Sequence, residues 1–127
     1  MSGPGASAVL VVEDNGTIRD IVCEVLRDEG YDIFEAEDGA AAISALTEHR
    51  PSPDSLCLVI LDMLLPEADG VQVLKALSDL GQFVPVVAMS ADHAQLVRAE
   101  LAGAEATLEK PFNLDQLLSI VERNCQS

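Results

Sequence analysis

Basic side chains are scarce in this chain of 127 residues: 7 Lys and Arg stand against 22 Asp and Glu, a formal charge of -15 at neutral pH. Nucleic acids and anionic membrane surfaces are held through clustered Lys and Arg, so neither is the main ligand of so acidic a protein. Long apolar runs are missing as well. Nothing approaches the roughly 20 residues of a membrane-spanning helix, and the opening MSGPGAS lacks the basic region that begins a secretory signal. A cytoplasmic protein is the expectation. Cysteine is limited to Cys23, Cys57 and Cys125, an odd number without metal-ligand spacing. Each lies in or beside an apolar pattern, which predicts three buried free thiols in a reducing compartment.

Other absences narrow the chemistry. No twelve-residue calcium loop is present, and no glycine-rich loop follows the first apolar run, where a nucleotide-binding protein would cradle a phosphate. The two histidines, His49 and His93, fall away from the ends of strand-like segments, so they are read as surface groups rather than general bases.

What the chain does have is regular apolar periodicity and 49% apolar residues, which exclude disorder despite the charge. Ala8 to Val12 predicts a central strand. Ile18, Ile21, Val22, Val25 and Leu26 recur at helical spacing from Thr17 to about Glu29, with Gly30 as the stop. YDIFEA is a second strand, and Gly39 to Glu48 a small-residue helix that ends near the proline-rich HRPSPDS. Leu56 to Leu61 is a third strand, followed by a helix marked by Val71, Val73, Leu74 and Leu77, with Gly81 after it. VPVVAMS is a fourth strand, and Leu96, Val97 and Leu101 place a helix from about His93 to Ala102. ATLE is a short fifth strand, and a last helix runs to about Asn124 with Asn113 as its cap.

Five strands alternating with five helices make an α/β chain. Strands apolar on both faces need helices on both sides, so the expectation is one doubly wound parallel sheet of five strands. Residues 1–7 are read as a flexible lead-in, 8–125 as the domain and 126–127 as a tail, with no second domain.

In such a sheet, ligands gather beyond the carboxyl ends of the strands. The first strand delivers Glu13 and Asp14 there, the third Asp62, the fourth Ser90 and the fifth Lys110. Singly, each is an ordinary turn former or cap. Together they bring three carboxylates, a hydroxyl and an ammonium to one rim. Converging carboxylates disfavour one another's charge, which a cation relieves. Oxygen-only ligands point to magnesium rather than zinc. An aspartate can act as the nucleophile of phosphoryl transfer, and the phosphoryl oxygens then need a magnesium ion, a lysine and a hydroxyl around them.

The stretches VLVVEDN (9–15), LVILDMLLPEADG (58–70), VVAMSA (86–91) and GAEATLEKPF (103–112) resemble, in order and separation, the receiver domains of the two-component response-regulator family. The resemblance spans residues 8–125 and implies a flavodoxin-like strand order 2-1-3-4-5. It implies that Asp62 accepts a phosphoryl group from a phosphohistidine of a histidine kinase or histidine phosphotransfer protein. It further implies that Mg2+ is bound by Asp14, Asp62 and the backbone carbonyl of Leu64, with Glu13 reaching it through water. Ser90 and Lys110 would meet the phosphoryl group, and the bond before Pro111 would be cis. Such a domain catalyses its own phosphorylation and dephosphorylation without being a conventional turnover enzyme, and the short loops leave little room for a small-substrate pocket. The first helix and the loop after the fifth strand would dock the donor, with Ile18, Ile21 and Val22 as apolar anchors. The helix 4–helix 5 face is one that the family uses for weak homodimers.

One position departs from the pattern. The family carries Tyr or Phe three residues before the lysine, as the moving partner of the Ser/Thr. Here Thr107 stands there, and the four aromatics Tyr31, Phe34, Phe83 and Phe112 lie elsewhere. That leaves an alternative: a receiver-like interaction module that works without phosphate. Leu64 and Asp92 are expected to tune the lifetime of a phosphoryl group, Leu64 by offering no hydrogen bond to an attacking water and Asp92 by holding one.

Overall fold

The computed structural model describes residues 7–48, 55–65, 70–79 and 84–125. His49, Gly81, Phe83, most of the lead-in and the tail at 126–127 lie outside the described residues. Ten elements alternate: β1 (Ala8–Val12), α1 (Gly16–Asp28), β2 (Asp32–Ala36), α2 (Gly39–Thr47), β3 (Leu56–Asp62), α3 (Gly70–Asp79), β4 (Val86–Ser90), α4 (His93–Leu101), β5 (Ala106–Glu109) and α5 (Leu114–Asn124). The expected order and type hold for every element, and boundaries move by at most two residues, as at β4, which begins after Pro85.

All strand pairs are parallel and the order is β2-β1-β3-β4-β5. β1, β3 and β4 are buried along their whole length, as strands covered on both faces must be. β2 is different. As an edge strand it exposes three of its five residues, Asp32, Phe34 and Glu35 becoming half-open or open to solvent while Ala36 is buried.

The sheet separates two cores. Val22, Cys23 and Leu26 of α1 and Leu117, Ile120 and Val121 of α5 pack with Val9, Val11, Leu58, Ile60, Val87 and Met89. On the other face, Ala42 and Leu46 of α2, Val73, Leu74 and Leu77 of α3 and Ala99 of α4 cover Leu10, Val12, Val59, Leu61 and Ala88. A leucine fully withdrawn from water, such as Leu58 or Leu61, contributes on the order of 2 kcal/mol.

Local chemistry sets the helix starts. Asn15, Asp38, Asp92 and Asn113 each accept a backbone N–H of the first turn with a side-chain oxygen, and Asn113 and Gln116 form a reciprocal capping box. α1 ends where Gly30 takes a φ of 96°, a left-handed conformation that glycine adopts without strain. Gly70 opens α3 so close to the exit of β3 that an added Cβ would lie 2.8 Å from the Cα of Met63. Its N–H donates to the Met63 carbonyl at 3.0 Å.

Cysteine departs from expectation. Only Cys23 is a buried free thiol; Cys57 and Cys125 form a disulfide across 68 residues of sequence, with their Cα atoms 5.0 Å apart. The pairing register between β1 and β3 slips between Ala8 and Val9, which partner Leu56 and Leu58 and leave Cys57 as an additional residue. That slip turns Cys57 toward the α1/α5 face, where it packs in the same core as Cys125 at the end of α5.

Candidate functional site

Alternation along the strands determines which side chains meet. Val9 and Val11 face α1 and α5, and so do Leu58 and Ile60, and Leu108. Counting two residues onward from Val11, Ile60 and Leu108 reaches Glu13, Asp62 and Lys110, at the carboxyl ends of β1, β3 and β5. β3 is the sheet's middle strand, so its last residue is held between neighbours on both sides.

The ammonium of Lys110 donates to Glu13 Oε1 at 2.8 Å and to Asp62 Oδ2 at 3.1 Å. Glu13 and Asp62 are 1% and 5% exposed. Asp14 is exposed, yet one carboxylate oxygen from each of Glu13, Asp14 and Asp62 lies within 4.8 Å of the others. The second Asp62 oxygen, Oδ1, accepts the N–H of Leu64 at 3.0 Å, and Glu13 Oε2 accepts the N–H of Asn15 at 3.3 Å. The Lys110–Pro111 peptide is cis.

Ser90, at 1% exposure, ends β4 beside this cluster. Its carbonyl accepts the Lys110 N–H at 2.9 Å, and its hydroxyl oxygen accepts the Asp92 N–H at 3.0 Å. Asp92 is occupied as the cap of α4, accepting the Ala94 N–H at 2.9 Å. The Leu64 side chain is open to solvent. His93 is exposed at the start of α4, as expected of a surface group.

The electrostatics follow from this crowding. Burial, then the neighbouring Asp62, push the Glu13 carboxyl up to about 7, although Lys110 pulls the other way. Burial opposes charge on Lys110, but its bonds to Glu13 and Asp62 outweigh this and raise its pKa, so the ammonium stays protonated. One ammonium thus faces more negative charge than it can balance. An all-oxygen donor set with unmet demand for positive charge is suited to a hard divalent cation, and the cluster can coordinate one.

A stability signature follows. Unfolded, Glu13 loses its proton near its ordinary value of 4.5; folded, it keeps that proton to about 7. The folded state therefore binds more protons within that window, and the stabilisation present below it is lost as pH rises through about 7. In metal-free protein with Lys110, Asp62 and Asp14 intact, Glu13→Gln removes this part of the pH dependence. Chemical denaturation across the window should show a shallower decline for the variant than for the wild type.

The response regulator receiver domain model matches residues 9–122. The chain belongs to the response regulator receiver family. Among its curated relatives, sporulation initiation phosphotransferase F of Bacillus subtilis is 32% identical over 117 residues, covering 91% of this chain and 90% of that one. The phosphate regulon transcriptional regulatory protein PhoB of Escherichia coli is 36% identical over 121 residues, covering 92% of this chain and 51% of its own. This chain spans about half the length of several such transcriptional relatives. Solved receivers superpose closely. The receiver domain of NtrX from Brucella abortus gives a TM-score of 0.82 at 34% identity, covering 92% of this chain and 97% of that one. Chemotaxis protein CheY4 of Vibrio cholerae gives 0.83 at 28%, covering 94% and 98%.

Two features of this receiver's rim escape sequence reasoning. Arg19 reaches back from α1 to the Glu13 carbonyl, and Glu35 of β2 accepts from Arg19. Arg19 lies within α1 and Glu35 is the penultimate residue of β2, so neither follows a strand's last residue as Glu13 and Lys110 do. The α1 anchors separate: Ile21 is half exposed, Ile18 partly buried and Val22 fully in the core.

Proposed function

We propose that this receiver accepts a phosphoryl group on Asp62 from a phosphohistidine of a sensor kinase or phosphotransfer protein. One Asp62 carboxylate oxygen forms the new O–P bond as the P–N bond to the donor imidazole breaks, and the bonding pair leaves on the imidazole nitrogen. Lys110 and Ser90 would meet the phosphoryl oxygens. Glu13, Asp14, Asp62 and the Leu64 carbonyl would hold Mg2+, which when bound supplies the positive charge that a transferring phosphoryl group demands.

The observation that most supports this reading is the Lys110 ammonium bonded to two buried carboxylates of a three-carboxylate cluster. A structural ion pair alone has no need of the third, exposed carboxylate. The donor would approach along the apolar groove formed by Ile18, Ile21, Ala91, Pro111, Phe112 and Leu114, which runs up to Lys110. Ile18 and Ile21 of α1 and Pro111 and Phe112 of the β5–α5 loop give this groove its hydrophobic side chains, fitting a partner helix that would place its histidine over the rim.

The test is intact mass after incubation with magnesium and a small acyl phosphate. One phosphoryl adduct is expected on the wild type, and it should disappear with chelator and in Asp62→Asn. A wild type that takes up no phosphoryl group, or an adduct that survives in the variant, overturns the assignment. Thr107, partly buried on β5 beside a mainly polar groove with Asn113, Asp115, Gln116 and Ser119, favours the second reading of a phosphate-independent interaction module. That reading requires Asp62→Asn to bind partner as the wild type does.

A further inference from the structure

The edge strand β2 contributes no carboxylate to the acidic cluster, yet its end holds the residue around which the cluster is built. The N–H of Glu13 donates to the Ala36 carbonyl at 3.1 Å. The carbonyl of Glu13 accepts from Arg19 Nη1 at 2.8 Å, and Arg19 Nε donates to Glu35 Oε1 at 3.2 Å. Glu35 Oε2 in turn accepts from Arg27 at 3.1 Å. Both backbone polar groups of Glu13 are therefore tied, directly or through Arg19, to consecutive residues of β2.

We infer that Arg19, oriented by Glu35, is a positioning residue that sets the Glu13–Asp14 segment for cation binding. This rests on the reading of Glu13, Asp14 and Asp62 as a metal site. Three arguments carry it. The segment lies just past the last paired residue of β1, Val12, so the sheet ladder no longer fixes its carbonyl. A guanidinium has a rigid fork of donors and can serve a carbonyl and a carboxylate at once, which an ammonium on a flexible stem does poorly. The Arg19 side chain is also mostly withdrawn from solvent at 19% exposure, whereas Arg27, paired to the same Glu35, is 51% exposed. An exposed Arg–Glu pair contributes little by itself. The consequence of this one lies in the carbonyl it holds, because rotation of the Glu13–Asp14 peptide would redirect the carboxylates on either side of it.

The experiment compares wild type, Arg19→Ala, Arg19→Lys and Glu35→Ala by two readouts. In metal-free protein, amide exchange at Glu13 and Asn15 should quicken about ten-fold in Arg19→Ala, the worth of one charge-assisted hydrogen bond, with Leu117 and Val121 of α5 unchanged. Titration with Mg2+ should show affinity weakened about five-fold in Arg19→Ala, with a smaller loss in Glu35→Ala and part of the affinity restored in Arg19→Lys. Exchange at Glu13 within about two-fold of wild type, or acceleration shared equally by the α5 amides, overturns the inference. Asp14→Asn separates the two failures. A wild type that binds Mg2+ no better than Asp14→Asn removes the metal reading, and the exchange measurement then decides the role of Arg19 in holding the segment.

Discussion

Replacing Lys110 with methionine should lower the stability of the metal-free protein by about 3 kcal/mol near pH 8 and by only about 1 near pH 5. The difference comes from Glu13. Lys110 touches both Glu13 and Asp62, at 2.8 and 3.1 Å, and both carboxylates are almost wholly buried. Above pH 7 the wild type holds Glu13 as a carboxylate, and removing the ammonium leaves two buried negative charges side by side. Below that, Glu13 carries a proton, because its folded pKa is raised to about 7, and it can donate to Asp62 in the lysine's absence. Methionine retains an apolar stem of similar length, so the comparison isolates charge from packing. Chemical denaturation at the two pH values measures it. Stability unchanged at both pH values would show that the stem, rather than the ammonium, is what Lys110 contributes.

Reduction of the Cys57–Cys125 disulfide should be the costliest single change, at about 4 kcal/mol. The bond closes a loop of 68 residues, and the entropy that such a link removes from the unfolded chain corresponds to that amount. For a domain of this size the thermal midpoint should fall by more than about 10 °C. The two Cα atoms stand 5.0 Å apart, within the range that a disulfide spans without backbone movement. Cys57→Ala and Cys125→Ala should each reproduce the loss and make stability indifferent to reductant. Cys23→Ala should leave the response to reductant intact, since Cys23 is unpaired, with its thiol pushed up to about 11 chiefly by burial. Thiol alkylation in denaturant should count one free cysteine before reduction and three after it.

Much of this architecture can be read before any coordinates are known, because alternation and helical spacing report burial directly. The apolar run from Leu56 to Leu61 is the buried middle strand, and Asp62 at its end is conspicuous for that reason. Asn113 is recognisable as a cap, since its side chain competes for backbone N–H groups and a helical apolar pattern follows it. Two kinds of information are hidden. Strict alternation would turn Cys57 to the opposite face from Leu58 and Ile60, away from α5, and only the register slip against Ala8 reverses it. The Arg19 clamp is hidden for another reason: a long side chain that bonds a backbone carbonyl has no partner residue type to betray it. The openness of β2 is a matter of place, since IFEA in a middle position would have been covered on both faces.

The strand that bears Asp62 is enclosed over all seven residues and bonded along both sides, to β1 and to β4. It is an anvil and not a lever: a blow at its tip cannot slide it without breaking two ladders. A change at that tip would bear first on what borders it, namely the short stretch from Met63 to Leu65, where the Leu64 N–H bonds the Asp62 carboxylate, and the turn from Ser90 to Asp92, where the Asp92 N–H bonds the Ser90 hydroxyl.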